Sequence, residues 1–134
     1  MCIFCKIVKG EIPCKKIYED EQNLSFLDIF PRATGHALVI PKKHCETFDQ
    51  MELADLQSFI IAVQKVTQLL KQKLDAPAFN IISNNGALSG QEVPHLHFHI
   101  LPRYATEKLS LHFPPVVQSA KERLDQIYAE IVEE

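Results

Sequence analysis

The strongest periodic signal along the chain lies between Asp49 and Leu74, where apolar residues recur at steps of three and four. That spacing predicts an amphipathic helix with a core-facing stripe formed by Leu56, Phe59, Ile60, Val63, Val66 and Leu70. We expect this helix to begin at a capping box made by Asp49 and Glu52 and to be closed by Pro77.

Elsewhere short apolar segments alternate with turn residues, which is typical of β-strands. Five strands are expected, at residues 16–20, 23–28, 36–40, 79–83 and from His95 to about Tyr104. Residues 3–9 form a short apolar segment. A final helix is expected from about Pro115 to Val132, with an apolar side formed by Val117, Ala120, Leu124, Ile127 and Ile131. Because the connections are short, we predict an α+β fold in which helices cover one face of an antiparallel sheet and the other face stays free for a ligand.

Three of the six histidines alternate with apolar residues over positions 95–100. Successive side chains of a strand point to opposite faces, so His95, His97 and His99 are expected on one face and the apolar residues on the other. A solvated strand face rich in histidine is the plain alternative. Three imidazoles in register instead favour a site that uses them as a nucleophile, acid–base groups or metal ligands.

His97 is the best candidate for a nucleophile, since it has an imidazole neighbour two residues away on each side. A neutral imidazole can attack phosphorus and form a phosphorus–nitrogen intermediate that water hydrolyses. Its other ring nitrogen must then be held by an acceptor such as a backbone carbonyl, which fixes the tautomer. A catalytic metal held by His97 and His99 is the rival interpretation, but the neighbouring residues supply no carboxylate ligand.

Length and composition narrow the function further. The chain has 134 residues, which fits a single domain over residues 1–134, and 46% of them are hydrophobic. The net charge of −3 gives no general attraction to nucleic acid or to anionic membranes. No apolar run approaches the roughly 20 residues of a membrane span, and the N-terminus has no signal-peptide layout. A cytoplasmic protein is therefore expected.

The four cysteines would stay reduced in that compartment. Cys2 and Cys5 form a C-x-x-C pair, a spacing that suits a metal or redox site and is only moderately specific alone. A pair of reduced thiols without metal is the alternative. Cys14 and Cys45 have no evident partner in the sequence and are expected to be inert.

The histidine segment fits the pattern His-φ-His-φ-His-φ-φ, where φ is apolar, and so resembles the signature of the histidine triad (HIT) superfamily. Supporting motifs follow in matching order at residues 2–7 (CIFCKI), 10–13 (GEIP), 26–29 (FLDI), 35–44 (GHALVIPKKH) and 90–91 (GQ). Together they make the chain similar to the HINT-type nucleoside phosphoramidate hydrolases in their bacterial form. The resemblance implies a HIT-like α+β fold with a five-stranded sheet, a long central helix and a C-terminal helix. It also implies a homodimer that cleaves purine nucleoside phosphoramidates of the AMP-amine type.

The same resemblance implies roles for individual residues. His97 would form a nucleotidyl-histidine, His99 would contact the α-phosphate beside His36, and His95 would complete the catalytic triad. Asp28 would accept hydrogen bonds from both ribose hydroxyls. The purine would be held by Ile3, Phe4, Ile7, Phe26 and Leu38, and the polar residues near the phosphate would be Asn84, Gln91 and Glu92. The family often has Ser or Thr at the position of Glu92. The Glu92 carboxylate repels phosphate, but its backbone N–H can still donate a hydrogen bond to it.

Some of these residues also fit ordinary structural roles. Phe26 and Leu38 fit core strand positions, Asp28 fits a turn before Pro31, and His36 could cap a loop. Only their joint match to one family favours the functional interpretation.

A second site is implied as well, because HIT proteins with an N-terminal cysteine pair resemble zinc binders. Carried over, the ligands would be Cys2, Cys5, His44 and His95. Such a closed S₂N₂ set suits a structural zinc ion and leaves no open position for water, so the chemistry itself would need no cofactor. Zinc at His95 would also help to position the nucleophile.

Two other functions stay open at this point. A dinucleoside polyphosphate hydrolase would use the same histidines with an anionic leaving group. A non-enzymatic nucleotide-binding or zinc-binding partner protein would use the pocket without turnover. Adenine and guanine are equally compatible with the apolar clamp.

Overall fold

The computed structural model describes residues 2–106 and 113–133. Its elements are α1 (Ile3–Val8), β1 (Lys16–Glu19), β2 (Asn23–Leu27), β3 (Ala37–Pro41), α2 (Leu53–Leu74), β4 (Ala78–Ile82), β5 (Phe98–Arg103), α3 (Gln118–Glu122) and α4 (Leu124–Val132). Short 3-10 turns at Phe48–Gln50 and Ala87–Ser89 lie in the connections. Within the described ranges, no helix combines the length and apolar character needed to cross a membrane.

The strands form one antiparallel five-stranded sheet in the order β1-β2-β3-β5-β4, which confirms the predicted fold class. In this register His99 of β5 lies between Leu38 of β3 and Ile82 of β4. Paired residues of an antiparallel sheet project to the same face, so these three side chains stand together.

The long helix α2 covers one face of the sheet and forms the main core with it. Its predicted stripe supplies Phe59, Val63, Val66 and Leu70, which pack against Ala37, Val39, Leu96 and Ile100 from the sheet and the segment before β5. Phe59 and Val66 are fully buried. Burial of each such side chain stabilises the fold by about 1.5–3 kcal/mol.

The opposite face of the sheet is only partly covered. A second cluster joins Phe4 of α1 to Leu24, Phe26, Leu38 and Ile40 of the strands. The short apolar segment at the N-terminus is thus a helix of six residues that packs on the sheet by Phe4. The rest of this face is not covered by a helix and forms the cavity described below. It is the face on which the sequence predicts a ligand.

The start of α2 differs from the prediction. The helix begins at Leu53 with Glu52 as its N-cap residue, and the Glu52 side chain makes no capping hydrogen bond. Asp49 lies in the preceding 3-10 turn, so the predicted capping box is wrong. The predicted end at Leu74 is confirmed, because Asp75 takes the left-handed conformation with φ 51° and closes the helix.

The last strand is shorter than the sequence pattern predicts. It begins at Phe98, so only His99 of the three histidines lies within it. The preceding segment is fixed by other bonds: the backbone N–H of His95 donates to the Val93 carbonyl, and that of Leu96 donates to the Cys45 carbonyl. These bonds turn His95 away from the face shared by His97 and His99.

The C-terminal helix is also divided. It breaks at Arg123 (φ −103°, ψ 20°) into α3 and α4, so one continuous helix is wrong. The predicted apolar side does not pack on the described chain, because Val117, Leu124 and Ile131 are 62%, 64% and 76% exposed.

Gly35 marks the one place where the fold needs a glycine for close approach. Its φ is 87°, and a Cβ there would meet the side chains of Leu74 and Pro102. The loop before β3 can therefore turn tightly over the end of α2, which delivers His36 to the ligand face.

Candidate active site and metal cluster

The segment 95–99 sends its histidines in two directions. His97 and His99 line a cavity of about 850 Å³ on the open face of the sheet, which we call the large cavity. His95 is fully buried and does not line it; its side chain faces Cys2, Cys5 and His44. The expectation of three imidazoles on one face is therefore wrong for His95, because the chain turns before β5 begins.

An apolar wall closes one side of the large cavity. The five residues predicted to clamp a purine all line it: Ile3, Phe4, Ile7, Phe26 and Leu38. The ring of Phe4 meets those of Phe26 and His97 edge-on, with ring centres 5.7 and 5.1 Å apart. Phe4, Phe26 and Leu38 also belong to the second core cluster, so core packing and cavity lining are combined in these side chains.

The hydrogen bonds of His97 fix its tautomer. Its Nδ1 lies 2.7 Å from the backbone carbonyl oxygen of His95. A carbonyl can only accept, so Nδ1 carries the proton and donates. In the neutral ring Nε2 then keeps its lone pair, which is the state required of an imidazole nucleophile.

His36 and His99 form a second chain of hydrogen bonds. The backbone N–H of Arg32 donates to His36 Nδ1 at 3.0 Å, so the proton of neutral His36 is on Nε2. That Nε2–H faces His99 Nδ1 at 2.9 Å, and His99 must accept there. The proton of neutral His99 is therefore on its Nε2, where it can be donated to a ligand.

Burial keeps both rings of this chain neutral. Desolvation lowers the pKa of His36. Desolvation, followed by the nearby His97 and His36 rings, lowers the pKa of His99 to about 4. A neutral pair at pH 7 preserves the direction of the hydrogen bonds, because a charged His99 could not accept from His36.

Asp28 lies at the mouth of the large cavity next to these rings. Its Oδ1 accepts the backbone N–H of Phe30 at 2.8 Å, and its Oδ2 lies 3.6 Å from His36 Nε2. The turn-forming role is thus real, but it occupies one oxygen only. Since Asp28 also lines the cavity, the second oxygen is available to a ligand.

Asp28, His36 and His99 bring three potential metal-ligand atoms close together. The tautomers argue against a metal there. His36 Nε2 must carry a proton because the Arg32 N–H occupies Nδ1, and a protonated nitrogen has no lone pair to donate. The hydrogen bonds from Arg32 to His36 and from His36 to His99 therefore explain why these three side chains lie close together.

The loop between β4 and β5 completes the rim of the cavity. Asn84, Gly90, Glu92 and Val93 line it. Gly90 has φ 102°, a left-handed conformation that favours glycine and lets the backbone turn beside Asn84.

Gln91 does not take the predicted place near the phosphate. Its amide donates to the carbonyls of Glu46 and Val93, and its Oε1 accepts the N–H of Gly86. These bonds hold the loop together and leave Gln91 outside the lining of the cavity, so the structure corrects that expectation.

The four residues Cys2, Cys5, His44 and His95 meet as predicted, and we call them the cysteine–histidine cluster. His44 Nδ1 and His95 Nδ1 are 3.3 Å apart. Sulfur-to-nitrogen distances are 3.3 Å for Cys2–His95, 3.4 Å for Cys5–His44 and 3.6 Å for Cys5–His95. A tetrahedral zinc ion with ordinary bond lengths gives edges of about 3.3 Å between nitrogens and about 3.6 Å between sulfur and nitrogen. The donor atoms therefore fit zinc.

The protonation of His95 supports the same fit. Its Nε2 donates to the Pro41 carbonyl oxygen at 2.8 Å, which leaves the Nδ1 lone pair facing the cluster. Burial lowers the pKa of His95 and favours this neutral state. Cys2 is the N-cap residue of α1, and its sulfur accepts the N–H of Cys5 at 3.4 Å.

The sequence interpretation missed two contributors to the site. The backbone N–H of Arg32 sets the tautomer of His36, and the carbonyl of Pro41 sets that of His95. Both are main-chain groups, so side-chain patterns give no signal for them. The Gly35-His36 turn and the position of Pro41 at a strand end were the only hints.

Comparison with known proteins agrees with this geometry. The sequence model described as the HIT domain matches residues 9–106. An uncharacterized HIT-like protein of Methanocaldococcus jannaschii is 59% identical over 104 residues, which are 78% of this chain and 80% of that protein. An adenosine 5'-monophosphoramidase of Schizosaccharomyces pombe is 44% identical over 102 residues, 76% of this chain and 74% of that protein.

Solved structures match as well. The crystal structure of a HIT family member from Bacillus subtilis superimposes with a TM-score of 0.88 and 37% identity, and the match covers 99% of this chain and 96% of that one. The matched range of the family model includes the histidine segment, the loop with Asp28 and His36, and the rim of the large cavity. The chain therefore belongs to the HIT domain family.

Proposed function

We propose that this protein hydrolyses purine nucleoside phosphoramidates of the AMP-amine type through a nucleotidyl intermediate on His97. The observation that carries this proposal is the bond from His97 Nδ1–H to the His95 carbonyl, because it leaves Nε2 unprotonated in the large cavity. The relative named as an adenosine 5'-monophosphoramidase supports the class of reaction.

The proposed reaction has two displacements at phosphorus. In the first, His97 Nε2 attacks the α-phosphorus, the P–N bond to the amine breaks, and the amine nitrogen takes a proton from solvent water, which the attacking water of the second step returns. In the second, water attacks phosphorus, the bond to Nε2 breaks, and AMP is released. His99 donates its Nε2–H to a non-bridging oxygen throughout, and the His36 N–H behind it keeps that donor in place.

The rest of the large cavity would bind the nucleoside. The apolar wall accepts a planar base, and Asp28 Oδ2 accepts the ribose hydroxyls. Asn84 and the backbone N–H of Glu92 are the proposed donors near the phosphate. The Gln91 side chain is assigned instead to holding this loop.

We further propose that the cysteine–histidine cluster holds a structural Zn²⁺. The donor distances and the free Nδ1 of His95 support this assignment. Four protein ligands would complete the shell, so the ion would add stability and would fix the His95 backbone. A reducing, cytoplasmic setting would keep Cys2 and Cys5 free of disulfides, and each thiol would release its proton on binding the ion.

A homodimer is proposed from exposed apolar side chains on one edge of the molecule. Ile60 and Ile61 of α2 are 42% and 52% exposed, and Phe79 and Ile81 of the edge strand β4 are 39% and 45% exposed. An edge strand with apolar residues beside it favours pairing with another chain. Light scattering during size exclusion would measure the resulting mass.

Turnover assays separate the candidate functions. Hydrolysis of an adenosine phosphoramidate at a higher kcat/KM than a diadenosine polyphosphate is expected. The reverse order would assign the chain to the dinucleoside polyphosphate hydrolases. Nucleotide binding with turnover of neither substrate would assign it to the binding proteins.

A further inference from the structure

A smaller cavity lies next to the large cavity, on the side of the cysteine–histidine cluster. This second cavity has a volume of about 450 Å³ and shares Ile3, Glu92 and Val93 with the large cavity. Its remaining lining comes from Cys2, His44, Glu46 and Pro94. Glu92 therefore stands where the two spaces join.

Charged residues are unevenly distributed between the two cavities. The large cavity is lined by three residues with full charges, Asp28, Arg32 and Glu92. Arg32 lies near His36 and His99, where its charge contributes to the lowered pKa of both rings. The second cavity has Glu92 and Glu46 in its lining and, among the residues that the structure describes, neither Lys nor Arg.

Both carboxylates are exposed and uncompensated. No ion pair joins Glu46 or Glu92 to a Lys, Arg or His within residues 2–106 and 113–133. Gln91 does contact this region, but it uses the backbone carbonyl of Glu46 and leaves the side chain free. A group placed between the two cavities would therefore meet net negative charge.

The proposed function places the leaving group at this junction. The nucleoside fills the apolar wall and the Asp28 side, and the α-phosphate sits at His97 and His99. Asn84, Gly90 and Glu92 line a further part of the large cavity, and Glu92 also lines the second cavity. In-line displacement requires the leaving group to depart on the side of phosphorus away from His97.

We propose that Glu92, assisted by Glu46, selects the charge of the leaving group, accepting cationic and neutral amines and disfavouring anionic ones. This inference rests on the proposed function and extends it to a substrate class. At separations of about 6 Å and a dielectric between those of protein and water, one unit charge on the leaving group changes kcat/KM by about five- to tenfold. Repulsion of an unwanted charge is a recognised source of specificity.

The test uses three adenosine phosphoramidates that differ only at the end of the amine's alkyl chain: an ammonium, a methyl and a carboxylate group. For the wild-type protein, kcat/KM should fall in that order, with about 25-fold or more between the ammonium and carboxylate substrates. Glu92→Gln should reduce that span to about fivefold or less, by lowering kcat/KM for the ammonium substrate and raising it for the carboxylate substrate. Glu46→Gln should reduce it by a smaller factor.

Glu52→Gln is the matched control, because Glu52 is an exposed glutamate at the start of α2 and lines neither cavity. For Glu52→Gln, the ratio of kcat/KM between the ammonium and carboxylate substrates should equal that of the wild type. In the wild-type protein, raising the salt concentration should narrow the span, since the carboxylates are exposed to screening ions. This arm needs no variant, and it tests whether exposed charge selects the leaving group even where Glu92→Gln fails to fold.

The outcomes distinguish a failure of the role of Glu92 from a failure of the proposed phosphoramidase activity. Equal kcat/KM for the three substrates, a span that salt does not narrow, or a span that folded Glu92→Gln protein retains in full would each overturn the role of Glu92 and leave the phosphoramidase activity intact. Turnover of none of the three would overturn the proposed function itself.

Discussion

The large cavity and the cysteine–histidine cluster are served by histidines only two residues apart, yet they differ in access and in donor atoms. His97 faces an open space of about 850 Å³, whereas His95 is fully buried among two sulfurs and a second imidazole. His97 donates through Nδ1 and keeps Nε2 free, and His95 donates through Nε2 and keeps Nδ1 free. One backbone carbonyl, that of His95, links the two sites.

The difference shows that a backbone acceptor decides what each imidazole can do. The same residue type becomes a candidate nucleophile where the free nitrogen faces a cavity, and a candidate ligand where it faces two thiols. Together with His95, the two cysteines and His44 make four protein donors, which would leave no position for a metal-bound water. The reacting group is therefore expected on the His97 side alone.

Removing the nucleophile should have the largest effect. His97→Ala is expected to lower kcat by ~1,000-fold or more, because the lost group acts in the transition state far more than in ground-state binding. Binding of AMP, measured by calorimetry, should stay near the wild-type value. Near-normal turnover by a pure preparation of His97→Ala would contradict the role of His97 as the nucleophile.

Removing the metal from the cysteine–histidine cluster should affect the stability of the protein more than its activity. Purified protein should contain about one zinc per chain, and its removal should lower the free energy of unfolding by ~3 kcal/mol and Tm by ~10 °C. Activity should fall partly, since the His95 carbonyl that orients His97 would loosen.

Cys5→Ser and Cys45→Ser provide a matched pair for this prediction. Cys5 belongs to the cluster, while Cys45 lies outside it and its thiol donates to the Thr47 carbonyl. Only Cys5→Ser should reduce zinc content and Tm to that extent. Loss of all activity on metal removal without loss of stability would instead favour a metal-dependent reaction.

Asp28→Asn should weaken recognition of the ribose with less effect on the chemistry. Asn keeps an oxygen for the Phe30 N–H, so the turn should survive, but the charge-assisted bonds to the hydroxyls are lost. We expect kcat/KM to fall about tenfold or more for the ribose substrate and less for its 2'-deoxy analogue. Equal losses for the two substrates would assign Asp28 to structure alone.

The last expected effect is confined to acidic pH and comes from the titration of His99. Its folded-state pKa of about 4 lies below the ordinary value of 6.5, so the neutral ring contributes stability that is complete above pH 6.5 and decreases as the pH falls toward 4. NMR titration should show His99 protonated on Nε2 only at pH 7 and titrating near pH 4. A ring that titrates near 6.5 would remove this contribution.

The sequence predicted most of the fold because the relevant signals are periodic and local. The stripe from Phe59 to Leu70 identifies α2, and short alternating segments identify the strands. The predictions failed where tertiary contacts override local pattern. His95 leaves the strand face because the Cys45 carbonyl accepts the N–H of its neighbour Leu96, and Asp49 forms a 3-10 turn instead of a cap.

The site shows the same contrast. Motif matching identified the apolar clamp, the histidines and Asp28 of the large cavity, and all four residues of the cysteine–histidine cluster, but not other lining residues such as Arg32 and Cys14. It misplaced Gln91, because its bonds run to main-chain groups of Glu46, Gly86 and Val93. It also gave no account of the tautomers, since these depend on carbonyls and amides that every residue carries.

The stereochemical course at phosphorus tests the central claim most directly. The measurement uses an adenosine phosphoramidothioate with chiral phosphorus, hydrolysed in ¹⁸O-labelled water, and determines the configuration of the thiophosphate product. Two successive in-line displacements, the first by His97, predict overall retention. Inversion would show that water attacks phosphorus directly, and it would contradict the nucleophilic role of His97.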